Sequence, residues 1–181
     1  MIIIAVLGVS NSGKTTTIEY LTRQLTMEGY KVGSIKHIHH EDFSIDSKGT
    51  DTWRHAQAGS KIVVAISPRE TVIIKKTESS QTDIDQVIKL LSQENLDFIF
   101  IEGLSSQIAG REDIPKIVTA REIDDLMERV KNAKPIIAVT GAIAKKGVAV
   151  NNIPVIDLET GGQRLVELVK QQLKHKNMGE T

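Results

Sequence analysis

Cysteine is absent from this chain of 181 residues. Its absence excludes a disulfide framework, a cysteine-ligated zinc or iron–sulfur centre, and a thiol nucleophile. It agrees with a reducing compartment without requiring one. Net charge is missing too, because 23 Lys and Arg balance 23 Asp and Glu. A balanced chain has no global field to draw it to nucleic acid or to an anionic membrane. Aromatics are scarce, with one Trp, two Tyr and three Phe. So few rings argue against a stacking platform for single strands. Long apolar runs are also lacking. The apolar start, Met1 to Val9, is interrupted by Gly8 and falls far short of the roughly 20 residues that span a bilayer. It has neither the basic leader nor the small-residue cleavage site of a signal peptide. The expectation is a soluble cytoplasmic protein with neither nucleic-acid nor membrane partners.

What is present is rich in Ile and Val, and β-branched residues favour buried strands. Residues 2–7 are apolar without alternation, the pattern of a central parallel strand covered on both faces. Residues 14–28 carry Ile18, Leu21 and Leu25 on one helical face, with Gly29 as the stop. Further strands are expected at 31–36, 97–101, 116–119, 136–139 and 155–158. Residues 61–66 and 71–76 flank Ser67-Pro68-Arg69-Glu70 as a hairpin. Helices are expected at 82–93, with Thr82 as N-cap and Ile84, Val87, Ile88 and Leu91 as the buried stripe, then around Ile123–Val130 and Leu165–Leu173. The length fits one domain over residues 1–175, with a polar tail from Lys174 that frays over 176–181. Alternating strands and helices predict an α/β fold with a mostly parallel sheet, helices on both faces and a β-hairpin insertion.

The strongest local signal is Gly8-Val-Ser-Asn-Ser-Gly13-Lys14-Thr15. It fits GxxxxGK[ST], follows a predicted strand and opens a predicted helix, which makes the architecture a P-loop NTPase-type α/β/α sandwich. The glycines let successive backbone N–H groups turn toward an anion, and the helix adds its positive end. Lys14 is expected to reach the β- and γ-phosphates, and the Thr15 hydroxyl to hold Mg²⁺. Asn11, Ser12 and Thr16 complete the expected phosphate-binding stretch. Glu102 ends a predicted strand, where a P-loop fold places an acid facing the metal. Asp97 begins that strand and belongs at its far end. No element for reading guanine is visible, so the residues alone do not choose between GTP and ATP.

His37, His39, His40 and His55 crowd into residues 37–55, together with Asp42, Asp46, Asp51, Trp53 and Arg54. The segment starts at the end of a predicted strand, the edge that carries ligands in open α/β sheets. Three readings are open. The donors engage an anionic substrate while an Asp holds Mg²⁺. Alternatively, His37, His39 and His40 ligate a transition metal, since His-x-His on a strand shares one face. The third is a solvated loop. Trp53 reads equally as a loop anchor or a ligand stacker.

Taken together, Gly8–Thr15, Ser34-Ile-Lys-His37, the run Asp46–Gly59 containing Asp51-Thr-Trp-Arg54-His55, and Phe98–Gly103 followed by Pro115-Lys116-Ile117 resemble the molybdopterin-guanine dinucleotide biosynthesis protein B family. The resemblance runs from about residue 1 to 170. It implies a GTP-binding accessory protein with weak GTPase activity, bound Mg²⁺ and a homodimeric state. It also implies molybdopterin or its guanine dinucleotide as ligand, and the molybdopterin guanylyltransferase that attaches GMP as a separate partner. By position, Gly13, Lys14, Thr15 and Thr16 match nucleotide-binding residues, Glu102 the acid of the second motif, and His37, Asp51 and Arg54 the substrate-side segment. No obvious water-activating base or arginine finger stands out, which agrees with slow hydrolysis; Arg54 is the one candidate for the finger. One departure follows Glu102-Gly103, where Leu104-Ser105 replaces an aromatic and a lysine. Two readings from other classes stand beside this one: a histidine-using metal-delivery GTPase and an ATP-dependent small-molecule kinase or ligase. The hairpin, with Val63, Ala65, Val72 and Ile74 alternating, is expected to form a β-branched edge that a second copy covers.

Overall fold

A computed structural model describes residues 1–40, 42–76 and 83–179, with side chains as far as 174. In chain order the elements are β1 (Ile2–Leu7), α1 (Lys14–Met27), β2 (Val32–Lys36), α2 (Asp51–Gln57), β3 (Ile62–Ile66), β4 (Thr71–Lys75), α3 (Ile84–Leu91), β5 (Phe98–Glu102), α4 (Ser105–Ile108), β6 (Lys116–Thr119), α5 (Ile123–Asn132), β7 (Ile136–Thr140), a 3-10 turn (Ala142–Lys146) and α6 (Leu158–Gly179). They fall into two compact units, Met1–His37 with Ile84–Thr181, and Ile38–Asp83.

The larger unit holds a five-stranded sheet in the order β2-β5-β1-β6-β7. All four strand pairs are parallel. The unalternating apolar run of β1 therefore sits in the middle, as its composition requires. Its side chains divide by parity. Ile2, Ile4 and Val6 pack with Phe98, Phe100, and the α1 and α6 residues Ile18, Leu21, Leu25, Leu165 and Val169. Ala5 and Leu7 pack on the other face with Ile99, Ile101, Leu104 and Ile108. Each fully buried Leu, Ile or Phe contributes about 1.5–3 kcal/mol relative to exposure. Tyr30 meets Phe98 edge-on at 5.4 Å between ring centroids. A third cluster fixes α5 and the 3-10 turn through Val118, Leu126, Val139 and Ile143.

The smaller unit carries α2 and the two-stranded antiparallel sheet of β3 and β4. Val63 faces Ile74 and Ala65 faces Val72 in its register, the four residues whose alternation marked the hairpin. α2 begins at Thr50, whose hydroxyl accepts from the Trp53 backbone N–H.

Some expectations change. Residues 155–158 do not form a strand, and only Val155 bridges to Val139. The Asp157 carbonyl accepts from Gly161 N–H and its carboxylate from Glu159 N–H. Asp157 thus starts α6 and cuts the extended stretch short. α2 and α4 were not expected; neither has an apolar stripe long enough to announce it. Ile123 and Met127 of α5 stay exposed, and only Leu126 is fully buried. Thr82, the expected N-cap of α3, lies outside the described residues. Among the described residues, no helix is long and apolar enough to cross a membrane.

Candidate functional site

The C-terminal ends of β1, β2, β5 and β6 converge on one loop. Gly8 leaves β1 without room for a side chain. A Cβ there would sit 2.2 Å from Thr119 Oγ1, 2.3 Å from the Thr119 carbonyl and 2.5 Å from Ser12 Oγ. Asn11 at φ 57° and Gly13 at φ 99° turn the loop through the left-handed region. Gly13 then caps α1, so the positive end of that 14-residue helix opens at the loop. The loop is braced from within. Ser12 Oγ donates to the Val9 carbonyl at 2.8 Å and shares a 2.6 Å hydrogen bond with Thr119 Oγ1. Ser12 is buried, so its hydroxyl faces β6. In this arrangement the hydroxyl is taken up within the protein and is not left for a ligand. Gly141, at φ 94°, closes the far side, where a Cβ would lie 2.5 Å from the Ser12 carbonyl.

Lys14 folds back so that its ammonium donates to the Val9 carbonyl at 2.6 Å. Burial holds its pKa below the usual lysine value, opposed by Glu102 and reinforced by Lys36 and Arg129. Thr15 Oγ1 donates to both carboxylate oxygens of Glu102, at 3.0 and 3.1 Å. Glu102 is only 6% exposed although it ends its strand. Asp97 stands at the opposite end, where its carboxylate accepts from the Lys31 backbone N–H. The structure thus brings Lys14, Thr15 and Glu102 together at this loop, with Asn11 and Thr16 exposed on the loop and the first helical turn.

The structure adds a residue that sequence reasoning missed as part of the site. Lys36 pairs directly with Glu102 in the β2–β5 register, and its ammonium forms an ion pair with Glu102 Oε1. Next to it, His37 N–H donates to the Glu102 carbonyl at 2.9 Å. Gly103, at φ 92°, lets the chain pass close by, since a Cβ would fall 3.2 Å from His37 Cβ.

Asp51 and Arg54 lie on α2 in the smaller unit, exposed, one turn apart, and 3.4 Å from each other. β2 ends at Lys36, so His37, His39 and His40 are not on a strand. The same-face argument for a transition-metal site loses its premise. Among the described residues, no group of three His, Asp or Glu could hold a metal ion.

The family model for molybdopterin guanine dinucleotide synthesis protein B matches residues 3–142. The chain belongs to this family. A Methanocaldococcus jannaschii relative, provisionally named a molybdopterin-guanine dinucleotide biosynthesis adapter protein, is 38% identical over 124 residues, 68% of this chain and 49% of its own length. The Haemophilus influenzae protein of that adapter name is 31% identical over 66% of this chain and 64% of its own length. The matched region thus spans about half to two thirds of these curated relatives. The crystal structure of Bacillus subtilis MobB superposes with a TM-score of 0.76 at 24% identity, covering 95% of this chain and 98% of that one. The MobB homologue from Bacillus stearothermophilus gives 0.71 at 20% identity, over 97% and 99%. These likenesses establish the family's α/β fold, the parallel sheet and the added hairpin.

Proposed function

We propose that this family member binds GTP with Mg²⁺, hydrolyses it weakly, and acts as an accessory protein in molybdopterin-guanine dinucleotide biosynthesis. One observation carries the nucleotide part. The Thr15 hydroxyl and the Glu102 carboxylate, from two distant segments, meet at 3.0–3.1 Å directly beside a glycine loop and a helix N-terminus. The loop's N–H groups and Lys14 take the phosphates, Lys14 leaving the Val9 carbonyl as it does so. Thr15 and Glu102 are hard oxygen donors already in contact, a set that fits Mg²⁺. When bound, Mg²⁺ neutralises charge on the β- and γ-phosphate oxygens. Thr16 follows on the first helical turn. By the family resemblance, His37, Asp51 and Arg54 belong to the substrate side, with Arg54 the candidate arginine finger.

The preference for guanine and the pathway rest on the family and on the adapter name its relatives carry. In that reading the chain assists a separate guanylyltransferase acting on molybdopterin, in the cytoplasm. A homodimer belongs to the same proposal. Val63 is buried and Ala65, Val72 and Ile74 are half-buried, so the face proposed for a second copy is the opposite one, where Ile62, Val64 and Ile66 of β3 and Ile73 of β4 are all more than half exposed. Isothermal titration with GTP in Mg²⁺ buffer tests the core of the reading. Heat of binding that disappears in Lys14→Ala is expected. Unchanged affinity in that variant would remove the loop from the account.

A further inference from the structure

Glu102 is a buried carboxylate, and a buried carboxylate without a counter-charge is costly. Among the described residues, Lys36 is its one ion-pair partner. Lys14 makes no direct ion pair with it, because the Lys14 ammonium donates to the Val9 carbonyl and feels Glu102 only at longer range. The two lysines have thus divided the site, one closing on the loop and the other on the acid. The division is built into the fold, since the parallel register sets Lys36 opposite Glu102. The Lys36 side chain is 54% exposed while that of Glu102 is 8%. The acid is fixed and the lysine is free to leave, on a flexible stem that carries a compact point charge.

We propose that Lys36 is the site's resident cation, holding the place beside Glu102 that a divalent ion takes when nucleotide binds. The inference rests on the nucleotide-binding reading above and deepens it. Without Lys36, the Glu102 charge offsets that of Lys14, and a triphosphate is held only by the loop N–H groups and the positive end of α1. With Lys36 in place, the acid is neutralised and the Lys14 charge remains effective, so nucleotide binds even when metal is scarce. When Mg²⁺ accompanies the nucleotide, Lys36 releases Glu102 and its ammonium returns to solvent, where its side chain is already 54% exposed. Lys36 therefore sets how strongly nucleotide binding depends on metal. It is a positioning residue, acting through Glu102.

The test measures GTP affinity of the whole chain by isothermal titration, once in excess EDTA and once in excess Mg²⁺. In Lys36→Met, the metal-free affinity is expected to fall about tenfold or more, the equivalent of roughly 1.4 kcal/mol. The affinity with Mg²⁺ is expected to fall about threefold or less, so the gain from metal widens. Lys36→Arg keeps the charge and is expected to keep the metal-free affinity. The double variant Lys36→Met/Glu102→Gln removes both charges and is expected to return metal-free affinity to within about threefold of the parent. Thermal melting of each variant verifies the fold, and the double variant leaves no unpaired charge at position 102. Equal losses with and without Mg²⁺ in Lys36→Met, or no recovery in the double variant, would overturn the proposal. A parent chain that binds no GTP in either buffer overturns the nucleotide reading itself.

Discussion

Replacing Gly8 with alanine places a methyl carbon 2.2 Å from Thr119 Oγ1, 2.3 Å from the Thr119 carbonyl and 2.5 Å from Ser12 Oγ. Carbon contacts relax at about 3.5–4.0 Å, so the neighbours would have to retreat by roughly 1 Å or more. Thr119 is fully buried at the end of β6 and cannot follow. The loop must yield, and with it the 2.6 Å hydrogen bond between Ser12 and Thr119. Overpacking costs about 1–3 kcal/mol, and the lost hydrogen bond about 1 kcal/mol. A total of about 2–4 kcal/mol corresponds to a fall in Tm of roughly 4–16 °C for a chain of this size. Calorimetry measures the melting shift, and titration with GTP measures the loop. Because the loop absorbs the displacement, nucleotide affinity is expected to drop at least tenfold, even at temperatures where the variant stays folded. Adding Thr119→Ala removes the hydroxyl but leaves the carbonyl at 2.3 Å, so it should not rescue. A Gly8→Ala chain with parental Tm and affinity, or full rescue by Thr119→Ala, would refute the reasoning.

Lys116 is fully buried, and its ammonium is held by the backbone carbonyls of Arg111 and Lys134. Lys116→Met leaves two buried acceptors unserved and is expected to cost about 2–4 kcal/mol in chemical denaturation. Burial also holds the Lys116 pKa below its usual 10.5, so the unfolded chain binds more protons over that interval. The Lys116 contribution to stability therefore grows as pH rises through its lowered folded value toward 10.5. Denaturation at several pH values should show that growth in the parent chain and its loss in Lys116→Met; an identical slope in both would contradict it. Gly162→Ala would drive a Cβ to 2.4 Å from the Tyr20 ring between α6 and α1. A lowered Tm is expected, restored by trimming Tyr20 to Ala, and no restoration would show that another contact dominates. The proposed dimer should appear by light scattering at micromolar concentration and dissociate in Val64→Lys, whereas a monomeric parent chain would remove the hairpin from that role.

The centre of the sheet was legible because its inner strands are buried on both faces, and local composition reports that directly. β1 and β5 read as continuous apolar runs and occupy the interior of the strand order. The glycine loop between β1 and α1 was legible for the same local reason. Gly8, Gly13 and Lys14 stand within one short stretch, and Glu102 marks the abrupt end of an apolar strand. Lys36 was not legible as part of the site. Its meaning comes from the register of β2 against β5, a pairing across more than sixty residues that no local pattern encodes. The inward direction of the Ser12 hydroxyl was equally illegible, since only the approach of Thr119 shows it. Residues 155–158 looked like a strand because β-branched composition is blind to Asp157, whose backbone and side chain start a helix there. The histidine cluster suggested a metal face that required a strand continuing past Lys36. The strand stops at Lys36, and its last residue pairs with Glu102.

The most direct test of the central claim is a competition titration of the full chain with GTP, GDP and ATP in Mg²⁺ buffer. The account predicts one GTP per chain, displaced by GDP, at least about tenfold weaker binding of ATP, and loss of binding in Lys14→Ala. Saturable binding of ATP in preference to GTP would contradict the guanine assignment. No binding of any of the three would contradict the site itself.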